Sequence, residues 1–392
     1  MPAPRRIPEA EPAPVALGAH PRILAIKLAT LGDLLLTTPA LRALRTRYPR
    51  ARLDVLTTAA AAPLLTDSPL VDAVYTLDLP PGARAPMMRG AGALLTTLTT
   101  LRAARYDAAL LLHHLTLPAG RRKHRTLLTT LAPRLTAGLD NGFGGFLDLR
   151  VPDHGFGARH EAEYALAIAR AVDATLPAGE RGLRVADLGW EALATEPPET
   201  EATGSPPLVA LHPGSGSYSR ARRWPVARFA EVAAALRERY GVRVVVIAGP
   251  GDEAALAAEL LATLGQPPWA EIAAPTTPRA LAAVLARCAL FIGNDSFPMH
   301  LATALGRPVV AVFGPSNAQA WGPYAPDCSA RVALVRRDDL ACSPCFYHGH
   351  DLGLREGCPP RPCLTALPAA RVLAAARRLL PAQAAPAAPP AG

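Results

Sequence analysis

The chain has 392 residues, half of them hydrophobic, and a formal net charge of +9. Its longest apolar runs, Ala108–Leu112, Val242–Ala248 and Val309–Phe313, are strand-sized and far short of the ~20 residues of a membrane-spanning helix. Its 42 prolines and 30 glycines follow no triplet repeat, which excludes a collagen-like fibre, and the length allows two or three domains.

In chain order, residues 1–20 are rich in Pro and Ala with no apolar core behind their arginines, so they read as a disordered tail on a cytoplasmic protein rather than a secretory signal. A first domain is expected over 21–190. Arg22–Lys27 reads as a buried strand, Leu28–Asp33 as a turn and Leu34–Tyr48 as a helix. Leu53–Leu56, Val71–Leu77 and Ala108–Leu112 read as further strands. Residues 191–207, acidic and rich in Pro and Thr, read as a linker. A second domain over 208–380 alternates strands (Leu208–His212, Val242–Ala248, Ala289–Gly293, Pro308–Phe313) with helices (Val226–Tyr240, Asp252–Leu264, Pro278–Arg287, Pro298–Leu305, Pro368–Leu380). Residues 381–392 form another Ala/Pro tail. Short apolar strands alternating with helices predict two Rossmann-like α/β domains, each with a parallel sheet covered on both faces and ligands beyond the carboxyl ends of the strands. The last helix could pack back on the first domain.

Charge is uneven. Residues 1–190 hold 23 Lys/Arg against 16 Asp/Glu, and the remainder 18 against 16. A basic first half points to an anionic partner, with an arginine-rich coding bias as the plain alternative. No aromatic residues interleave with the basic cluster, so nucleic acid is not expected.

Polar motifs follow the strands. Thr30-Leu31-Gly32-Asp33 follows the first, and Asp33 is either a helix-start acid or a base aimed at a ligand. His212-Pro213-Gly214-Ser215-Gly216-Ser217 follows the strand at 208, with Arg220, Arg222, Arg223 and Trp224 next. Backbone N–H groups, hydroxyls and bidentate guanidinium groups suit a diphosphate. Gly249 and Glu253 follow a third strand, where a carboxylate could accept from ribose hydroxyls. Asn294, Asp295, Ser296 and His300 surround a fourth helix start. Arg121, Arg122 and Lys123 could receive a phosphorylated or carboxylated acceptor, or simply be a solvated basic loop. Neither the dinucleotide fingerprint nor the P-loop pattern is present. Six cysteines are too few for a disulfide scaffold; Cys342, Cys345, Cys358 and Cys363 are spaced as a four-thiolate zinc or iron site, a pair of disulfides, or reduced thiols.

Four blocks together resemble glycosyltransferase family 9, the lipopolysaccharide heptosyltransferases: ILAIKLATLGDLLLTTPALRALRTRYP, LVALHPGSGSYSRARRWPVARFAEVA, VVVIAGPGDE and FIGNDSFPMHLATALGRPVVAVFGPSNAQAWGPY. The resemblance implies a GT-B architecture, two Rossmann-like domains across a cleft. It also implies inverting transfer, without a metal or other cofactor, from a nucleotide-sugar donor, typically ADP-heptose, to an anionic glycolipid acceptor. By the same resemblance Asp33 is the base, Arg222 or Arg223 meets the donor phosphates, and Asp295 and His300 line the donor site. Thr30, Gly32, Arg121, Arg122 and Lys123 are candidates on the acceptor side. Phe297 departs from the family's usual Gly. Peripheral association with the inner face of the cytoplasmic membrane would fit a lipid acceptor. The alternatives are another nucleotide sugar or a protein acceptor, a nucleotide-sugar epimerase, and a non-catalytic sugar-nucleotide-binding protein.

Overall fold

The computed structural model describes residues 6–78, 91–199 and 205–380. The chain divides into two compact units. The first comprises the described residues up to Arg181 together with 186–189 and 349–351; the second takes the rest.

In the first unit β1 (Arg22–Lys27), α1 (Leu31–Leu35), α2 (Thr38–Arg47), β2 (Arg52–Thr57), β3 (Ala73–Thr76), α3 (Ala91–Ala103), β4 (Ala108–Leu111), α4 (Pro118–Leu131), β5 (Leu135–Asp140), β6 (Leu149–Pro152) and α5 (Glu161–Ala171) follow in order. All pairs in the sheet are parallel, and the spatial order is β3-β2-β1-β4-β5-β6. β1 is buried from Ile23 to Lys27, which is why RILAIK is a run of apolar residues rather than an alternation. α2 buries Leu41 and Leu44 and packs against α5.

The second unit holds α6 (Glu191–Thr195), β7 (Leu208–His212), α7 (Val226–Tyr240), β8 (Arg243–Ile247), α8 (Asp252–Thr263), β9 (Ala270–Ala273), α9 (Pro278–Ala286), β10 (Leu290–Asn294), α10 (Phe297–Ala304), β11 (Val309–Val312), α11 (Ala318–Trp321), β12 (Val332–Val335), α12 (Pro362–Thr365) and α13 (Ala369–Leu379). Its sheet is also parallel, ordered β12-β11-β10-β7-β8-β9. Local chemistry sets the helix ends. α7 stops at Gly241, which takes φ +64° and donates to Arg237 O at 2.8 Å. α9 starts at Pro278, behind a Thr277 side chain that accepts from Ala280 N at 3.1 Å.

Counted from its own first strand, each sheet has the order 3-2-1-4-5-6. The direction of winding reverses between the first and fourth strands: β1 and β4 in one unit, β7 and β10 in the other. Ligands of such sheets bind at the carboxyl ends of those strands.

The fold corrects several expectations. Residues 6–20 are not a free tail: Val15 N donates to Ala171 O at 3.0 Å, and Glu11 pairs with Arg159 at 2.6 Å and Arg170 at 2.7 Å. The helix expected over 34–48 is two helices, because Pro39 needs a fresh start. The linker begins as α6, and its Glu199 pairs with Arg243 at 2.7 Å and Arg287 at 3.1 Å, so it belongs to the second unit. Rather than belonging to the first unit, α13 is part of the second: its Val372, Ala375 and Ala376 join that unit's core with Trp224 and Phe229. The tail expected at 381–392 lies outside the described residues.

Candidate functional site

At the end of β1 the chain turns through Leu28–Thr30 into α1. Asp33, half-buried, reaches back so that its Oδ2 accepts from Thr30 Oγ1 at 2.7 Å and Thr30 N at 3.3 Å. The cap and the candidate base are thus the same group. Gly32 is buried in α1.

The end of β4 supplies a second layer. His113 Nε2 accepts from Leu28 N at 2.6 Å, which fixes the start of the Asp33 loop and puts the proton of the neutral ring on Nδ1. The His113 and His124 rings stack at 4.7 Å. Burial pushes His113 well below the ordinary histidine range and His124 down to about 3, and the charges of Lys27 and Lys123 add to both shifts. Lys27 is 7% exposed and has no carboxylate partner among the described residues. Lys123 is lowered by burial. A cationic group with no counter-ion among the described residues therefore lies at the switch point of the first unit. Arg121 is not part of it as expected. Its Nε donates to Leu115 O at 2.6 Å, its Nη2 to Thr116 O at 2.7 Å, and it stacks 3.3 Å over Phe143, so it is spent on holding the loop. Arg122 is exposed on α4.

His114, which no motif singles out, is clamped between Asp153 Oδ2 at 2.9 Å and Glu161 Oε1 at 2.8 Å. Phe156 and Tyr164 flank the ring at 4.5 and 4.9 Å. Burial alone would lower this imidazole, but Glu161 and Asp153 outweigh it and raise it to about 9. A folded pKa above the unfolded 6.5 stabilises fully below pH 6.5 and is lost as pH rises through 9. The expected loss is about 3 kcal/mol. His114→Gln should flatten the dependence of the urea midpoint on pH between 6.5 and 9.5. A wild-type midpoint that does not move over that range would remove the clamp.

In the second unit, His212 ends β7 with Nδ1 at 3.0 Å from Ser296 Oγ and Nε2 at 3.2 Å from Glu253 Oε2. Glu253 Oε1 accepts from Ser215 N at 2.8 Å and Gly216 N at 2.6 Å. Two of the turn amides read as a diphosphate cradle are therefore satisfied by this chain's own carboxylate, and Glu253 is not free for a ribose. The glycines serve that approach: a Cβ on Gly214 would sit 2.3 Å from the Glu253 carboxyl carbon, and one on Gly249 2.0 Å from its Oε2. Burial would raise the Glu253 carboxyl, but His212 and the two amides bring it down to about 2. Its stabilisation is complete above the usual 4.5 and fades as pH falls toward 2. Glu253→Ala strands buried donors, at about 1–3 kcal/mol each. It should lower the melting temperature at pH 7, and an unchanged melt would contradict this role.

The arginines divide. Arg222 Nη1 donates to Asp295 Oδ2 at 3.1 Å and its Nη2 to Ser215 O; the two charged side chains are 13% and 5% exposed. Arg223 grips Asp252 through two bonds of 2.7 and 3.1 Å. Asn294 is a brace: Oδ1 accepts from Trp224 N at 3.0 Å, and Nδ2 donates to Pro213 O at 2.9 Å and Gly214 O at 3.1 Å. Trp224 is a core anchor, 1% exposed, with Nε1 donating to Leu367 O at 3.0 Å. Ser296 Oγ donates to Asn294 O at 2.9 Å, and His300 is buried in α10. Ser217 is exposed, and Phe297 is half-buried at the start of α10. His212, Ser215, Arg222, Glu253, Asn294, Asp295 and Ser296 are thus one connected network across the ends of β7 and β10.

Residues 96–353 match the model of glycosyltransferase family 9 (heptosyltransferase). The chain belongs to this family. It is 29% identical over 335 residues to lipopolysaccharide heptosyltransferase 2 of Escherichia coli, covering 80% of this chain and 88% of that enzyme. It is 30% identical over 326 residues to the Salmonella typhimurium enzyme of that name, covering 80% and 88% of the two chains. The solved structure of E. coli ADP-heptose LPS heptosyltransferase II superposes with a TM-score of 0.65 at 26% identity, covering 92% of this chain and 98% of that one. The two Rossmann-like units are the domain pair of the GT-B glycosyltransferases.

In this family 9 glycosyltransferase the cysteine-bearing segment packs against the candidate donor loop: Ser219 Oγ donates to Arg355 O at 2.6 Å, Arg355 Nη2 donates to Ser217 O at 2.8 Å, and Cys345 N donates to Pro315 O at 2.9 Å. Burial raises Cys363 to about 11, and Cys345, Cys358 and Cys342 push in the same direction, so the four thiols share one neighbourhood. Among the described residues no group of three or more His, Cys, Asp or Glu side chains is placed to hold a metal ion. No helix among them is long and apolar enough to cross a membrane.

Proposed function

We propose that the enzyme transfers heptose, with inversion and without a metal, from ADP-heptose to a lipopolysaccharide-core glycolipid on the cytoplasmic side of the membrane. The observation that carries this reading is the pairing of chemistry with topology. A carboxylate, Asp33, follows the first strand of one sheet, and a guanidinium–carboxylate pair, Arg222–Asp295, spans the first- and fourth-strand ends of the other. Solved structures in which relatives carry ADP and an ADP-heptose analogue, from E. coli heptosyltransferase WaaC, share the fold.

In this mechanism Asp33 takes the proton of an acceptor hydroxyl while that oxygen bonds to the anomeric carbon. The bond from that carbon to the diphosphate breaks on the opposite face, and ADP leaves with the electron pair. Arg222, freed in part from Asp295, and Arg223 meet the charge that develops on the diphosphate. His300 and Asp295 line the donor, and Thr30 orients Asp33. On the acceptor side, the uncompensated Lys27 and Lys123, with Arg122, receive the acid groups of the glycolipid.

The test is a calorimetric screen of purified protein against ADP-heptose, UDP-glucose, UDP-N-acetylglucosamine and GDP-mannose. Transfer to lipopolysaccharide lacking the outer core follows, with and without EDTA. ADP-heptose binding and EDTA-resistant transfer are expected. Preference for another nucleotide sugar would replace the donor, transfer to protein would replace the acceptor, and loss of turnover in EDTA would overturn the metal-free step. Donor consumption without acceptor would indicate an epimerase.

A further inference from the structure

The backbone ladder between β1 and β4 ends with a bond from Leu112 N to Ile26 O at 3.0 Å. The next rung of a parallel ladder would take Leu28 N to Leu112 O. Leu28 N instead donates to the His113 side chain, to Nε2 at 2.6 Å. The ladder therefore stops where the Asp33 loop begins, and an imidazole takes the place of a carbonyl.

The rest of that loop is held from the end of β2. Lys27 O accepts from Thr57 Oγ1 at 2.8 Å, and Ala29 O accepts from Thr58 Oγ1 at 2.9 Å. Thr30 closes the turn: its O accepts from Leu34 N at 3.0 Å, and its N and Oγ1 donate to Asp33. Of the three side chains that hold the loop from outside, Thr57, Thr58 and His113, only the imidazole can lose its accepting lone pair to a proton. A proton on Nε2 would aim N–H at N–H and release Leu28.

The surroundings oppose that proton. Burial lowers His113 most, and His124 and Lys123 on α4, Lys27 on β1 and the adjacent His114 push in the same direction. Asp153 and Glu161 are committed to His114. His124, 5% exposed, backs the His113 ring in a stack at 4.7 Å and 27°.

We propose that His113 is a positioning residue for the base: its Nε2 lone pair fixes the Leu28 amide, and so sets where α1 starts and where Asp33 stands relative to the acceptor hydroxyl. The proposal rests on the reading of Asp33 as base given above. His113 itself touches no substrate and moves no substrate proton. A side chain with no acceptor at that place would strand Leu28 N and let the loop shift, and a misplacement of about 1 Å can cost about 10²-fold in rate.

The test is steady-state transfer by the full chain from ADP-heptose to lipopolysaccharide lacking the outer core. His113→Leu should lower kcat by about 10²-fold, while calorimetric ADP-heptose affinity stays near wild type because the donor network lies in the second unit. His113→Gln, whose amide oxygen can accept from Leu28 N, should recover most of that loss. In an Asp33→Asn background, His113→Leu should change kcat by less than about threefold, since the group it positions is already disabled. If the leucine variant melts below the assay temperature, His113→Asn carries the test, because its shorter side chain stops short of Leu28 N and should show the same loss. Wild-type kcat in His113→Leu or His113→Asn, no recovery in His113→Gln, or a full further loss in the Asp33→Asn background would overturn the proposal, the last by marking a purely structural role. Asp33→Asn alone reports the base reading. Full turnover in that variant would end the reading itself, whereas its collapse beside an active His113→Leu would end only the positioning role.

Discussion

Asp33→Asn is expected to lower kcat by about 10²–10⁴-fold, the usual worth of a positioned general base. The substitution is conservative for the fold. Asp33 is held because its Oδ2 accepts from Thr30 Oγ1 and N, and an Asn carbonyl oxygen can accept the same two bonds. What is lost is the capacity to take a proton. The melting temperature and calorimetric donor affinity should therefore stay near wild type while turnover at saturating donor and acceptor collapses. Asp33→Ala removes the cap as well and should lose stability too. That contrast separates helix capping from catalysis, which the sequence left as alternatives. An Asn variant within threefold of wild-type kcat would end the assignment of Asp33 as base.

Arg222→Ala is expected to cost about 10²–10³-fold in kcat/KM, the scale seen when a donor to a developing oxyanion is removed. It should also destabilise the protein by about 3 kcal/mol, because Asp295, 5% exposed, is left as an uncompensated buried charge. The two effects come apart in a double variant. Adding Asp295→Asn to Arg222→Ala should recover much of the stability and none of the kcat/KM. If the double variant regained kcat/KM, Arg222 would act only through Asp295 and not on the diphosphate.

Strands such as Leu208–His212 and Leu290–Asn294 were legible because a parallel strand covered on both faces is a short unbroken apolar run. The polar residues that follow them could then be placed at the carboxyl edge without knowing any contact. Partnership was much less legible. Nothing local to His114 announces carboxylates 39 and 47 residues later, and the clamp exists only once β4, the end of β6 and α5 are assembled. Gly214 and Gly249 fall in loops read as meeting a diphosphate and a ribose, yet it is Glu253 that comes close to both, because a carboxylate satisfies a pair of convergent amides as well as a phosphate oxygen does. Trp224 and Asn294 fall within the motif that resembles a donor site, but they hold the core and the loop. Proximity in sequence to a functional residue does not separate a contact from its support. Edge elements such as β9, only partly buried, gave too weak an apolar signal to be read.

The Glu253 bracket on the β7 turn means that the loop is pre-organised before any nucleotide arrives. Little conformational entropy is left to surrender on association, and affinity for the donor is correspondingly less diluted by ordering costs. The amide protons of Ser215 and Gly216 should exchange slowly with deuterated solvent even in the empty enzyme, and adding ADP should slow them little further.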